Sequence, residues 1–83
     1  MRNRLEVENL VWTDHILWQM QERVIQREVI MSILTEPDEI VSGKKGRLIY
    51  QKVFGDRIAR AVLEGNHLIT VYFTSKVRKY RTR

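Results

Sequence analysis

Five side chains of this 83-residue chain are of the types that move protons or hold phosphate without a metal: Lys52, Tyr72, Lys76, Tyr80 and His15. Metal-free RNA cleavage needs a base for the 2′-hydroxyl, cations for the charged phosphorane and an acid for the leaving oxygen. Lys76, with Lys79, would steady the phosphate, and Tyr80 or His15 would give or take the proton. A wider set suits nucleic-acid binding, because ring faces stack on bases and cations meet phosphates. It comprises Tyr50, Lys52, Arg57, Tyr72, Thr74, Lys76, Arg78, Lys79 and Arg81.

Much of this set lies in the closing stretch. An alternating run, Leu68-Ile69-Thr70-Val71-Tyr72-Phe73-Thr74-Ser75, leads into Lys76-Val77-Arg78-Lys79-Tyr80-Arg81-Thr82-Arg83. The formal net charge is +5, from 15 basic and 10 acidic residues. The tail 76–83 holds five basic residues and no acidic one, so residues 1–75 carry ten of each and sum to zero. So local an asymmetry points to a polyanion partner or to a solvated tail that aids solubility.

The elements that must position these groups follow from periodicity. Residues 5–12 alternate as an edge strand. Thr13-Asp14 starts a helix, with Thr13 as N-cap, and Ile16, Leu17, Met20 and Val24 are spaced to face the core. A second helix over 26–35 buries Ile30, Ile33 and Leu34 and stops before Pro37. The break near Val24-Ile25 contains no glycine, so a helical hairpin and one kinked helix both fit. From Glu39 the period becomes two. Strands are expected at 40–42, 47–54, 57–64 and 67–75, with Gly43-Lys44-Lys45-Gly46 as a basic loop and Gly55-Asp56 and Gly65-Asn66 as two-residue hairpin turns. The fold class is therefore α+β, two N-terminal helices packed on an antiparallel β-meander, in a single domain spanning 1–83.

If both turns hold two residues, Phe54 faces Arg57 and Glu64 faces His67. One surface then collects Ile49, Val53, Ile58, Val62, Ile69, Val71 and Phe73, the expected helix-covered face. In it Gln51 falls opposite Arg60, either at the margin of the core or as a buried, mutually hydrogen-bonded pair. The other surface holds the rows Tyr50-Ala61-Thr70 and Lys52-Ala59-Tyr72. Alanines walled by tyrosines and a lysine would leave a shallow trough for single-stranded RNA, or simply a half-exposed face with ordinary cross-strand pairs. A one-residue bulge would undo part of this pairing.

Other chemistries find little support. With no cysteine there is no disulfide or thiolate metal site, and two distant histidines are no ligand set, so no metal or cofactor is expected. Gly43-Lys44-Lys45-Gly46 lacks the strand and helix of a phosphate-binding loop. No apolar run approaches a membrane span and the N-terminus lacks a signal-like apolar region, which makes a soluble, cytoplasmic protein the expectation. His15, in a helix first turn, is a structural hydrogen-bonding residue or a base; His67 is read as a cross-strand partner of Glu64. Trp12 and Trp18 are core or partner-facing, with Trp18 better placed for a patch.

Thr13-x-His15, Met20-x-x-Arg23-x-Ile25, Leu34-x-x-Pro37-Asp38, Gly46-Arg47-x-x-Tyr50-x-Lys52 and Thr70-Val71-Tyr72-x-Thr74-x-Lys76-x-x-Lys79-Tyr80 resemble a widespread bacterial family of small proteins, a domain of unknown function. Its members typically read S/T-x-H-A-x-x-R-M-x-x-R-G-I at the first helix and close in T-V-Y-x-T-x-K-x-x-K-Y. The family is similar in layout to the RelE, ParE and BrnT toxins. The resemblance implies a RelE-like fold and a toxin-like RNA-binding protein, a possible endoribonuclease acting through Lys, Arg and Tyr, with a cognate antitoxin as partner. It equally leaves a non-catalytic nucleic-acid or protein-binding module, ParE-like inhibitors included. Gln19, Ile16 and Val24 stand where the family has arginine, a small residue and glycine. If that arginine works with His15, the activity here is altered or lost.

Overall fold

The computed structural model describes residues 6–81; Leu5 of the expected first strand and Arg83 of the tail lie outside them. Among the described residues the chain forms a mixed α/β structure. The strands are β1 (Val11–Trp12), β2 (Glu39–Ser42), β3 (Leu48–Phe54), β4 (Arg57–Glu64) and β5 (His67–Thr74), and the helices are α1 (Asp14–Glu22), α2 (Arg27–Thr35) and one closing turn, α3 (Val77–Tyr80). The sheet order is β1-β5-β4-β3-β2. Every pairing is antiparallel except β1 with β5, which is parallel.

The expected first strand is much shorter than 5–12. Val7–Asn9 forms a 3₁₀ turn, and only Val11 and Trp12 join the sheet, beside His67 and Leu68. Thr13 then works in two directions: its hydroxyl accepts from the Ile16 amide at 3.3 Å, capping α1, and donates to the Leu68 carbonyl at 2.8 Å.

α1 ends in a Schellman-type closure, with the Ile25 amide bonded to the Met20 carbonyl at 2.9 Å and Val24 in the left-handed region at φ 53°. Glycine is usual there because a Cβ is penalised. Two separate helices result. Leu17 and Val24, expected in the core, are 47% and 81% exposed. The buried positions of α1 are Ile16 and Gln19. α2 begins one residue later than expected, with Gln26 as N-cap, and buries Ile30, Ile33 and Leu34.

Both hairpin turns hold two residues. Gly55 and Gly65 adopt φ 61°, and the residue after each has negative φ, the pattern of a type II′ turn. On β3 and β4 the expected register is observed, with Phe54 opposite Arg57, Lys52 opposite Ala59 and Tyr50 opposite Ala61. Glu64 and His67 also pair, but one residue of β5 is then extra. Leu63 pairs with Leu68 and Val62 with Thr70, so Ile69 bulges and every later side chain changes face. Ala61 meets Val71 instead of Thr70, and Ala59 meets Phe73 instead of Tyr72.

The helices also lie on the other face from the one expected. Ile16, Ile30, Ile33 and Leu34 form one core with Tyr50, Ala59, Ala61, Leu63, Leu68 and Val71. The alanines that would have floored an open trough are fully buried beneath helices. Their small size admits a close helix approach, as core packing at near-crystalline density requires. α1 lies against β5, and α2 against β3 and β4.

Candidate nucleic-acid interface

The face away from α1 and α2 is finished by polar groups. Gln51, opposite Arg60 on the central strands, is fully buried. Its Oε1 accepts from Arg60 Nε at 2.7 Å, and its Nε2 donates to Glu39 Oε1 at 3.2 Å and to the Tyr80 carbonyl at 3.0 Å. Of the two sequence alternatives for this pair, the buried, mutually bonded one is observed. A buried amide is tolerable only with such partners.

Arg60 is the hub. Its Nη1 donates to the Tyr72 hydroxyl, and its guanidinium carbon lies 4.0 Å from the centroid of the Tyr80 ring and 5.7 Å from that of Tyr72. A cation over an aromatic face contributes about 0.5–2 kcal/mol, more as water is excluded. Arg81 completes the cluster 3.5 Å from Glu39 Oε1. The described part of the basic tail, residues 76–81, is thus folded back through α3 onto the sheet, held through the Tyr80 carbonyl, the Tyr80 ring and Arg81. Lys76, Arg78 and Lys79 remain exposed on it. Lys76 is fixed at its amide, which donates to the Thr74 hydroxyl at 3.2 Å, and Lys79 Nζ lies 5.4 Å from the Tyr80 ring.

The sequence-derived set is therefore divided. Tyr72, Thr74, Lys76, Arg78, Lys79, Tyr80 and Arg81 come together on or beside this face. Lys52 does not share it with Tyr72: it follows the parity of Ala59, and its Nζ donates to the Glu36 carbonyl at the end of α2 at 2.8 Å. Tyr50, 4% exposed, lies beneath the helices where no base reaches its ring, and burial raises its phenol pKa above 10. Arg57 is exposed at the start of β4, its guanidinium carbon 5.8 Å from the Phe73 ring on the helix side. His15 is exposed on α1 and stacks on Trp18, which is itself 54% exposed. The five catalytic candidates thus fall in three places.

Arg60 was legible only as the partner of Gln51, and its contacts to Tyr72 and Tyr80 depend on the bulge and on tail docking. Gln19 has a structural task here. Its Oε1 accepts from the Val71 amide at 3.2 Å and the Thr70 hydroxyl at 2.9 Å, closing the side of β5 beyond the short β1. Among the described residues no group of acidic, histidine or cysteine side chains is arranged to hold a metal ion, and no helix is long and apolar enough to cross a membrane. No protein-family model, curated protein or solved structure matches the chain.

Proposed function

We propose that this protein is a cytoplasmic, RelE-like member of the toxin-like family its motifs resemble, and that it binds single-stranded RNA on the tail-covered face. The observation that carries the reading is the docked tail. Lys76, Arg78 and Lys79 stand exposed on or beside a turn that Tyr80 anchors over Arg60 and Gln51. Anchoring matters because cations held in place lose less entropy on meeting a phosphate chain than cations on a free tail. Phosphates meet the lysines and Arg78, and bases meet the half-exposed Tyr72 and Tyr80. An antitoxin would act by covering this basic surface.

Binding without cleavage is the primary form of the proposal, because Lys52 and His15 stand away from the Arg60 cluster. A metal-independent endoribonuclease is the second reading, favoured by the convergence of Tyr72 and Tyr80 on one guanidinium. Incubating RNA and ribosomes with the protein and mapping the ends separates the two. Cuts abolished by Tyr72→Phe or Tyr80→Phe support the enzyme; intact RNA alongside salt-sensitive binding supports the module. Absence of any binding at low salt defeats both.

A further inference from the structure

Where the break after α1 meets the β3–β4 hairpin and the end of β5, the surface folds into a cleft of about 440 Å³. Its apolar lining comes from Val24, Ile25, Val29 and Phe73, and Arg23 and Arg57 line it as well. Among the described residues the ion pairs are Arg47 with Glu64 and Arg81 with Glu39, so neither cleft arginine is neutralised by a carboxylate. Gln26 also lines the cleft, and its side chain makes no capping bond to α2.

A cleft of this size falls in the range that takes small molecules, commonly about 300–1,000 Å³. Unneutralised arginines present fork-shaped donors that fit phosphate. The apolar lining suits a flat ring, and a free amide can both donate to and accept from a base edge. We propose that this cleft is a nucleotide-binding site, with Arg23 and Arg57 on the phosphate and Ile25, Val29 and Phe73 against the base. The choice of a nucleotide among anions rests on the RNA-binding reading above. Few residues separate Phe73 from Lys76, and the chain between them spans at most about 10 Å. The cleft and the tail lie on opposite faces of the sheet and meet at the end of β5, so a strand held on the tail reaches the cleft only by passing round that end.

The test is nuclear magnetic resonance of the full chain titrated with a nucleoside 5′-monophosphate, with inorganic phosphate, and with a short peptide ending in an aromatic residue and a free carboxylate. The nucleotide is expected to shift the Ile25 and Val29 methyls and the Phe73 ring, with phosphate alone binding more weakly. Arg23→Ala and Arg57→Ala should each weaken nucleotide binding by about tenfold or more, as loss of a charge-assisted hydrogen bond predicts. Lys44→Ala should leave it unchanged. The proposal is overturned if the nucleotide moves only residues 76–81, if both arginine variants bind like wild type, or if the peptide occupies the cleft more tightly than the nucleotide. A single-stranded oligonucleotide added in parallel separates the two claims. If it shifts the tail and spares the cleft, the cleft proposal fails and RNA binding stands. If the mononucleotide fills the cleft but the oligonucleotide does not bind, the cleft stands and the RNA reading falls.

Discussion

On one face of the sheet, Ala59, Ala61 and Val71 meet Ile30, Ile33 and Leu34 in a core built of aliphatic contacts. On the other, the same strands present Gln51, Arg60 and Tyr72 to a tail that returns with Tyr80 and Arg81. The first face gains from excluding water, which is non-directional and tolerant of exchange among similar shapes. The second depends on its hydrogen-bonded donors keeping their acceptors, since a buried polar group that loses its partner costs about 1–3 kcal/mol. Stability thus belongs mainly to the helix side, and the RNA contacts proposed above lie on the tail side.

The comparison breaks first on the helix side. Ile33→Ala empties a fully buried site and should destabilise the fold by about 2–5 kcal/mol, read by urea unfolding. A loss below ~1 kcal/mol would mean the core is not where these contacts put it. Next, Gln51→Leu removes the acceptor for Arg60 and the donor to the Tyr80 carbonyl. It should cost about 1–3 kcal/mol and speed amide exchange over residues 77–81, while α2 keeps its protection. Uniform loss of protection in both regions would show that the faces are not energetically separate.

Smaller effects sharpen the picture. Val24→Gly relieves a β-branched residue from the left-handed region and forfeits little packing, because the side chain is exposed, so stability should rise by about 1 kcal/mol. Unchanged or lower stability would mean that the stiffer valine restrains the unfolded chain enough to offset its strain. Smallest is the alkaline end. Tyr50 is held neutral by burial, so its folded pKa lies above the unfolded value near 10. Its contribution is whole below that value and is lost as pH rises through the folded pKa, because the unfolded chain gives up its proton first. An ultraviolet titration should contain a late phenolate component that Tyr50→Phe removes.

Gly55-Asp56 and Gly65-Asn66 announced their turns because positive φ at a two-residue loop calls for glycine, and the β3–β4 register followed. Ile30, Ile33 and Leu34 were readable from helical spacing and Pro37. The facing of the sheet was not. Ile49, Val53, Ile58 and Val62 are as apolar as Tyr50, Ala59, Ala61 and Leu63, so alternation divides two faces without saying which one the helices cover. The bulge was hidden for a related reason: Leu68 and Ile69 are adjacent aliphatics, and either parity of β5 buries one of them. Leu17 satisfied the helical spacing yet lies outside, while Gln19, polar, lies inside to serve the β5 edge, a contact that only tertiary structure supplies. Tail docking depended on Gln51, Arg60 and Glu39 converging from three strands.

The proposed division between a packed face and an RNA-binding face is tested most directly by the affinity of a single-stranded RNA oligonucleotide as salt is varied. With Lys76, Arg78, Lys79 and a neighbouring arginine in contact, log affinity should fall against log salt with a slope of about −2 to −3. Lys79→Ala should lessen that slope by about 0.7 with folding stability unchanged. A flat salt response, or a slope that Lys79→Ala leaves untouched, would contradict the assignment of the tail-covered face to RNA.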